Sequence, residues 1–167
     1  MGRLFDAAAS LTGLCHEVSF EAEAAMQLEA AAANVDAGTK GPRLQAFTLP
    51  KATHSVPLIV AWEPLIRQLS AEVADGRLPG RSGRDFHEAV AQLIVDVALR
   101  FRERLARTHP TTPLRQVGLT GGVFQNQLLC EQTLTRLAAD GFEPLLPTRF
   151  PANDGGLALG QALLGRR

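Results

Sequence analysis

Residues 116 to 146 constrain this chain more than any other stretch. Gln116 to Thr120 reads as a short strand, and Gly121 and Gly122 break it. Asn126 to Ala139 follows with helical spacing, Gly141 stands where that helix should stop, and Phe142 to Leu146 reads as a second strand. Strand, helix, strand at this spacing predicts a βαβ unit, with parallel strands joined by a right-handed crossover. The expected class is therefore α/β, with Leu157 to Leu164 closing the chain as a further helix.

The residues before 111 read mainly as helix. Leu4, Phe5, Ala8, Leu11 and Leu14 recur at helical spacing from almost the first residue, with Gly13 at the end. A second helix is expected over Ser19–Ala33, with Ser19 as its N-cap. Its alanine-rich end fits either close packing or simple helix propensity. Asn34 to Pro57 is irregular, with one short strand expected around Leu44–Leu49. Pro64 sits where proline opens a helix, whose stripe is Leu65, Ile66, Leu69 and Val73 and whose stop is Gly76. A loop containing Pro79, Gly80 and Gly83 should lead to the clearest helix, striped by Phe86, Val90, Leu93, Ile94, Val97, Phe101 and Leu105. The whole of 1–167 is expected to be one domain, helical over 1–110 and βαβα over 111–167.

Several function classes are disfavoured at once. Lys plus Arg and Asp plus Glu both number 17, so no basic face invites nucleic acid or an anionic membrane. The arginines at 100, 102, 104 and 107 read as a solvated helix face. No stretch approaches the roughly 20 apolar residues of a membrane span, and the opening MGRLFDAAASLTGLC lacks the layout of a secretory signal. A cytoplasmic location is expected. Cys15 and Cys130 both fall in apolar helical patterns, where a free thiol behaves as a small core residue. His16, His54, His87 and His109 have no metal-ligand spacing, and His87, beside an apolar stripe, reads as a packed or hydrogen-bonded histidine.

Two glycine-bearing turns remain as candidate sites. In an open α/β sheet, ligands bind beyond the C-terminal ends of the strands, where TGGVFQN stands. Gly121 and Gly122 would let a ligand approach the backbone, and the following helix N-terminus would offer N–H groups and partial positive charge. Asn126 is either the cap of that helix or a ligand contact. The pattern is neither GxGxxG nor a phosphate loop ending in Gly-Lys-Ser/Thr, so an ordinary turn explains it equally well. In PANDGGLALGQ, Asp154 is either the N-cap of the last helix or a hard metal ligand. The two turns should lie side by side at one edge of the sheet.

GRLFDA, LTGGVFQN and NDGGLALGQ, together and in this order, resemble the HypF family, the carbamoyltransferases of [NiFe]-hydrogenase maturation. VAWEPLIRQL and FHEAVAQLI resemble the family pattern between them, so the likeness covers nearly the whole chain. HypF proteins are much longer, carrying acylphosphatase, zinc-finger-like and YrdC-like regions before a final domain similar to TsaD. That final domain has the two-lobed fold of actin and sugar kinases, and this chain matches its second lobe. The resemblance therefore implies a fragment or split subunit, with Met1 matching an internal position. It implies nucleotide contacts at Gly2, Asp6, Gly121, Gly122 and Asn126, and a metal contact at Asp154, with the remaining ligands of a divalent metal in the first lobe. It also implies ATP and AMP, as carbamoyl-adenylate, for the nucleotide, and a HypE-like protein whose C-terminal cysteine accepts the carbamoyl group. The missing lobe and YrdC-like domain would act in cis or in trans. No internal nucleophile is required. Other readings are a non-catalytic HypE- or nucleotide-binding module and, further off, half of a sugar-kinase-like enzyme.

Overall fold

Close packing is what the alanine run serves. In the computed structural model, which describes residues 1–35, 59–111 and 113–165, α1 (Gly2–Leu11) and α2 (Glu23–Ala33) lie against α4 (Pro79–Thr108). The strand expected at Leu44–Leu49 lies outside the described residues. α2 buries Ala24, Leu28 and Ala32. On α4 the facing positions are glycines: a Cβ at Gly80 would stand 2.6 Å from the Ala31 carbonyl oxygen, and one at Gly83 would stand 3.1 Å from Leu28 Cδ1. Alanine against glycine lets the two backbones approach in a way larger residues forbid.

This packing corrects the expectation of a loop through Pro79, Gly80 and Gly83. All three are helical, and Pro79 opens α4 at the position whose N–H has no helical partner. The glycines mark a helix contact and not a connection. α4 is 30 residues long, about 45 Å at the usual rise. Its buried face follows the expected stripe through Phe86, Val90 and Leu93, then continues as Val95 and Ala98. Phe101 is exposed, and Arg102 carries the face onward, with its guanidinium 4.3 Å above the Phe142 ring and donating to the Asp140 carbonyl at 2.8 Å. Arg102 is thus not part of a merely solvated face.

α3 (Glu63–Ala74) buries Leu65 and Leu69, with Pro64 in its first turn. Gly13, Gly76 and Gly141 terminate α1, α3 and α5 (Gln127–Ala139) as expected, each followed by a backbone bond reaching back five residues. Ser19 is not an N-cap. α2 starts four residues later, after Ala22 in a left-handed conformation, and the Ser19 N–H instead donates to Glu23 Oε2 at 2.5 Å.

The βαβ unit is present. β1 (Gln116–Gly118) pairs in parallel with β2 (Glu143–Leu145), in the register Gln116 to Glu143, with α5 between them. Both strands are shorter than expected. Pro144, inside β2, and Pro147, two residues beyond it, have no N–H to donate, which limits the ladder. Two apolar clusters result. One joins α1, α2, α3 and α4 to Leu129 of α5; the other joins Val95 and Ala98 to Leu119, Leu137 and Phe142. Ile94 and Phe124 pack against both, so the helical portion and the βαβ unit share a continuous interior. Among the described residues no helix is long and apolar enough to cross a membrane.

Candidate nucleotide site

β1 delivers the chain to Thr120, Gly121 and Gly122 at the C-terminal edge of the sheet. Gly121 has φ 102° and ψ 159°, a conformation that L side chains rarely adopt. Its N–H donates to the Ala152 carbonyl at 2.6 Å, and the Thr120 hydroxyl reaches the same oxygen at 3.3 Å. Ala152 immediately precedes Asn153-Asp154, so the two glycine turns are tied together, side by side, as their positions after neighbouring strands required. Gly122–Gln125 forms a 3-10 turn whose first internal bond runs from the Phe124 N–H to the Gly121 carbonyl. The N–H groups of Gly122 and Val123 precede that bond, so neither has a partner within the turn itself.

Asn126 is the N-cap of α5. Its Oδ1 accepts from the Leu129 N–H at 2.8 Å, and its Nδ2 stands 2.9 Å from His87 Nε2. The other ring nitrogen, Nδ1, lies 2.7 Å from the Gly83 carbonyl oxygen. A carbonyl only accepts, so Nδ1 carries the proton; Nε2 is bare and accepts from Asn126. The polarity of the whole chain, from Gly83 through His87 and Asn126 to Leu129, follows from that one carbonyl. His87 is fully buried, and burial pushes its pKa down from 6.5 to about 4 against the opposing pull of the Gly83 bond, with Arg84 adding to the depression. The imidazole is neutral.

Phe5, from GRLFDA, packs edge-on against this imidazole at 5.3 Å between centroids, and against Phe86 at 5.0 Å. The three motifs are therefore physically connected: Phe5 to His87 to Asn126, and Gly121 to Ala152. His87, which the sequence placed only beside an apolar stripe, is the link between the first two. Gly2 and Asp6 themselves are exposed on α1, and a Cβ at Gly2 would meet nothing within 4 Å.

The N-terminus of α5 is not the open anion site expected of it. Glu29 of α2 accepts from the Gln127 N–H at 2.6 Å and the Leu128 N–H at 3.2 Å, and Asn126 takes the third donor. A carboxylate from the chain already occupies the place a phosphate would favour. The sequence signal for it, a glutamate 98 residues away, is invisible to local reading. In the neighbouring turn the Gly121 N–H is likewise taken, by the Ala152 carbonyl, and the candidate donors to a ligand are the N–H groups of Gly122 and Val123.

Asp154 is exposed, and it is not the cap. Asn153 caps the 3-10 turn Asp154–Gly156 that enters α6 (Leu157–Leu164), its Oδ1 accepting from the Gly155 N–H at 3.0 Å. Among the described residues no group of three His, Cys, Asp or Glu side chains is placed to hold a metal. Asp154 alone does not make the divalent-metal site implied by the resemblance. Cys15 and Cys130 donate to the Glu17 and Phe124 carbonyls. Burial, together with Glu29 and Glu131, pushes the Cys130 thiol up, away from nucleophilic use.

A helical layer and a parallel βαβ unit, with paired glycine turns at the sheet edge, define an α/β fold. Residues 1–161 match the family described as "Carbamoyltransferase, Kae1-like Domain, second subdomain". The chain is 39% identical to carbamoyltransferase HypF of Rhodobacter capsulatus and 35% identical to that of Synechocystis sp., over 98% of its own length in each case and 19% of theirs. A full-length HypF solved in a phosphate- and nucleotide-bound form superposes with TM-score 0.82 at 30% identity, over 99% of this chain and 20% of that one. HypF of T. kodakarensis superposes with TM-score 0.70 at 27% identity, over 99% of this chain and 19% of that one. The chain belongs to the HypF carbamoyltransferase family.

Proposed function

We propose that this chain is the nucleotide-facing lobe of a HypF-type carbamoyltransferase, acting with a first lobe and a YrdC-like domain supplied in cis or in trans. The observation that carries this reading is the joining of all three motifs at one corner, through Phe5, His87 and Asn126 and through Gly121 and Ala152. The nucleotide-bound state of a relative at 30% identity supports the ligand class. In the proposed reaction the thiolate of the C-terminal cysteine of a HypE-like acceptor attacks the carbamoyl carbon of carbamoyl-adenylate. The bond from that carbon to the phosphate oxygen breaks, and AMP leaves with the electron pair. This chain's part is to hold AMP at the Gly121-Gly122 turn, with Gly2 and Asp6 on α1 and the Asn126 corner completing the cradle. Asn126 acts by fixing the turn, since both ends of its amide are engaged within the chain. Asp154 is exposed and offers one ligand to a divalent metal completed elsewhere; the described residues do not hold one alone.

Gly122→Ala separates binding from folding, because the added Cβ would stand 4.0 Å from Asn153 Cβ, in ordinary contact. Calorimetric titration with AMP, in the presence of the complementary lobe, should show binding about ten-fold weaker with an unchanged melting temperature. Unaltered affinity would remove the turn from the site. The solitary Asp154 favours a second reading, a non-catalytic module that binds HypE or nucleotide. Retention of a HypE-like partner by both Asp154→Ala and Asn126→Ala, without carbamoyl transfer by the assembled lobes, would establish it.

A further inference from the structure

Glu29 comes from α2 to the start of α5, where its Oε1 accepts from the Gln127 N–H at 2.6 Å and the Leu128 N–H at 3.2 Å. Gln127 follows Val123 by four residues, across the end of a 3-10 turn, so the carboxylate stands on the order of 10 Å from the Val123 N–H. Its charge is felt in this part of α5: burial, then Glu29 and Glu131, push the Cys130 thiol up. Little nearby offsets it. From Gln116 to Thr135 and from Phe150 to Leu164 there is no Lys or Arg, and the charges present are Glu131 and Asp154. Arg3 and Asp6 on α1 are exposed and opposite in sign, and Arg149, before the second turn, is exposed to solvent. Phosphate sites ordinarily draw positive charge from Lys, Arg or a free helix N-terminus. Here the helix N-terminus is already met by a carboxylate.

We infer that Glu29 is a specificity-determining residue, which sets the corner to hold a phosphate carrying one negative charge and to release one carrying two. The inference rests on the nucleotide reading proposed above and names the charge state of its ligand. Carbamoyl-adenylate is a mixed anhydride whose phosphate has a single ionisable oxygen, so it carries one charge. When the acceptor thiolate bonds to the carbamoyl carbon, the electron pair of the breaking carbon–oxygen bond goes to the phosphate oxygen. The thiolate's charge has then passed to AMP, a dianion above its second pKa of about 6, and the thiocarbamate is neutral. A fixed carboxylate on the order of 10 Å away opposes that added charge by about three- to ten-fold in affinity at low salt. Substrate is thereby held more firmly than product, and ATP, with its further charges, is disfavoured most. AMP leaves because the reaction itself charges it.

Calorimetric titration of the chain with the complementary lobe, near pH 8 and at low salt, tests it with three ligands: adenosine, AMP and the monomethyl phosphate ester of AMP. The ester carries one charge, as carbamoyl-adenylate does. Glu29→Gln keeps a side-chain oxygen for the Gln127 N–H and removes the charge. It should lower the ratio of ester affinity to AMP affinity by about three- to ten-fold and leave adenosine binding unchanged. The difference should fade in about 0.5 M salt. Glu29→Asp, which retains the charge, should keep the wild-type ratio. An ester-to-AMP ratio unchanged by Glu29→Gln would overturn the inference and leave the nucleotide site standing. Equal weakening of all three ligands would do the same, marking Glu29 as a structural cap. Failure of all three to bind the wild-type chain would remove the nucleotide reading, and this inference with it.

Discussion

Acid should weaken this fold through His87 in particular. The buried imidazole has its pKa lowered to about 4 from 6.5, so below pH 6.5 the unfolded chain binds a proton that the folded chain refuses. The stability it supports is complete above pH 6.5 and is lost as pH falls towards the folded value, levelling off below it. Full titration corresponds to about 3 kcal/mol, and the portion lost between pH 7 and pH 5 to about 2 kcal/mol. Protonation also turns Nε2 from acceptor to donor, setting it against the Asn126 amide donor 2.9 Å away. Glu72 and Asp85 work in the opposite direction. Burial raises both pKa values, despite the salt bridges to Arg77, so their protonation in acid favours the folded state. A comparison with His87→Gln isolates the histidine, since glutamine retains a donor and an acceptor but does not titrate. Urea melts from pH 7.5 to pH 4.5, extrapolated to water, should give wild-type stability a fall about 2 kcal/mol steeper than the variant's between pH 7 and pH 5. Parallel curves would refute the neutral, buried histidine and the hydrogen-bond polarity derived from it.

Asn126→Ala removes the α5 cap and orphans His87 Nε2, and should lower stability by about 2–3 kcal/mol in urea melts. Gly80→Ala should lower the melting temperature even though alanine is the better helix former, because its Cβ would stand 2.6 Å from the Ala31 carbonyl oxygen; a loss of about 1–3 kcal/mol is expected. Glu29→Gln removes the charge from the N-terminus of α5, costing roughly 0.3–1 kcal/mol, and should lower the Cys130 thiol pKa that Glu29 helps to raise, as followed by thiolate absorbance against pH.

The elements legible in the sequence were those whose signals are local. Gly13, Gly76 and Gly141 announced helix ends because a left-handed residue there is a one-residue requirement. The βαβ unit was legible because its periodicity changes twice within about thirty residues. Gly80 and Gly83 misled because a glycine spaced for helix contact is written like a glycine in a loop; only α2, some fifty residues earlier, distinguishes the two. The candidate site shows the same division. The turns at Gly121 and Asn153 were visible, and so was their adjacency. The occupancy of the α5 N-terminus by Glu29 was not, because nothing near Gln127 records a carboxylate arriving from α2. His87 was rightly read as a hydrogen-bonded core histidine, yet its place as the contact between GRLFDA and VFQN depended on three-dimensional packing.

That division bears on how the lobe would work. The polar groups that shape the corner are satisfied from within: His87 by Gly83 and Asn126, Asn126 by His87 and Leu129, the start of α5 by Glu29, and Gly121 by Ala152. Gly2, Asp6, Asp154 and α6 are instead all exposed. A corner whose internal bonds are complete holds its turns in place before any ligand arrives, which removes an ordering cost from binding. A set of outward-facing groups gains its chemistry only when another surface meets them. If the proposed reading holds, the corner that positions the ligand is the part whose bonds are internal, and the exposed groups are the part completed from outside. Substitutions at the interior bonds should therefore move stability, in urea melts, and AMP affinity, titrated with the complementary lobe, together. Substitutions at Asp154 should instead affect the assembled protein and leave the fold of the isolated chain unchanged.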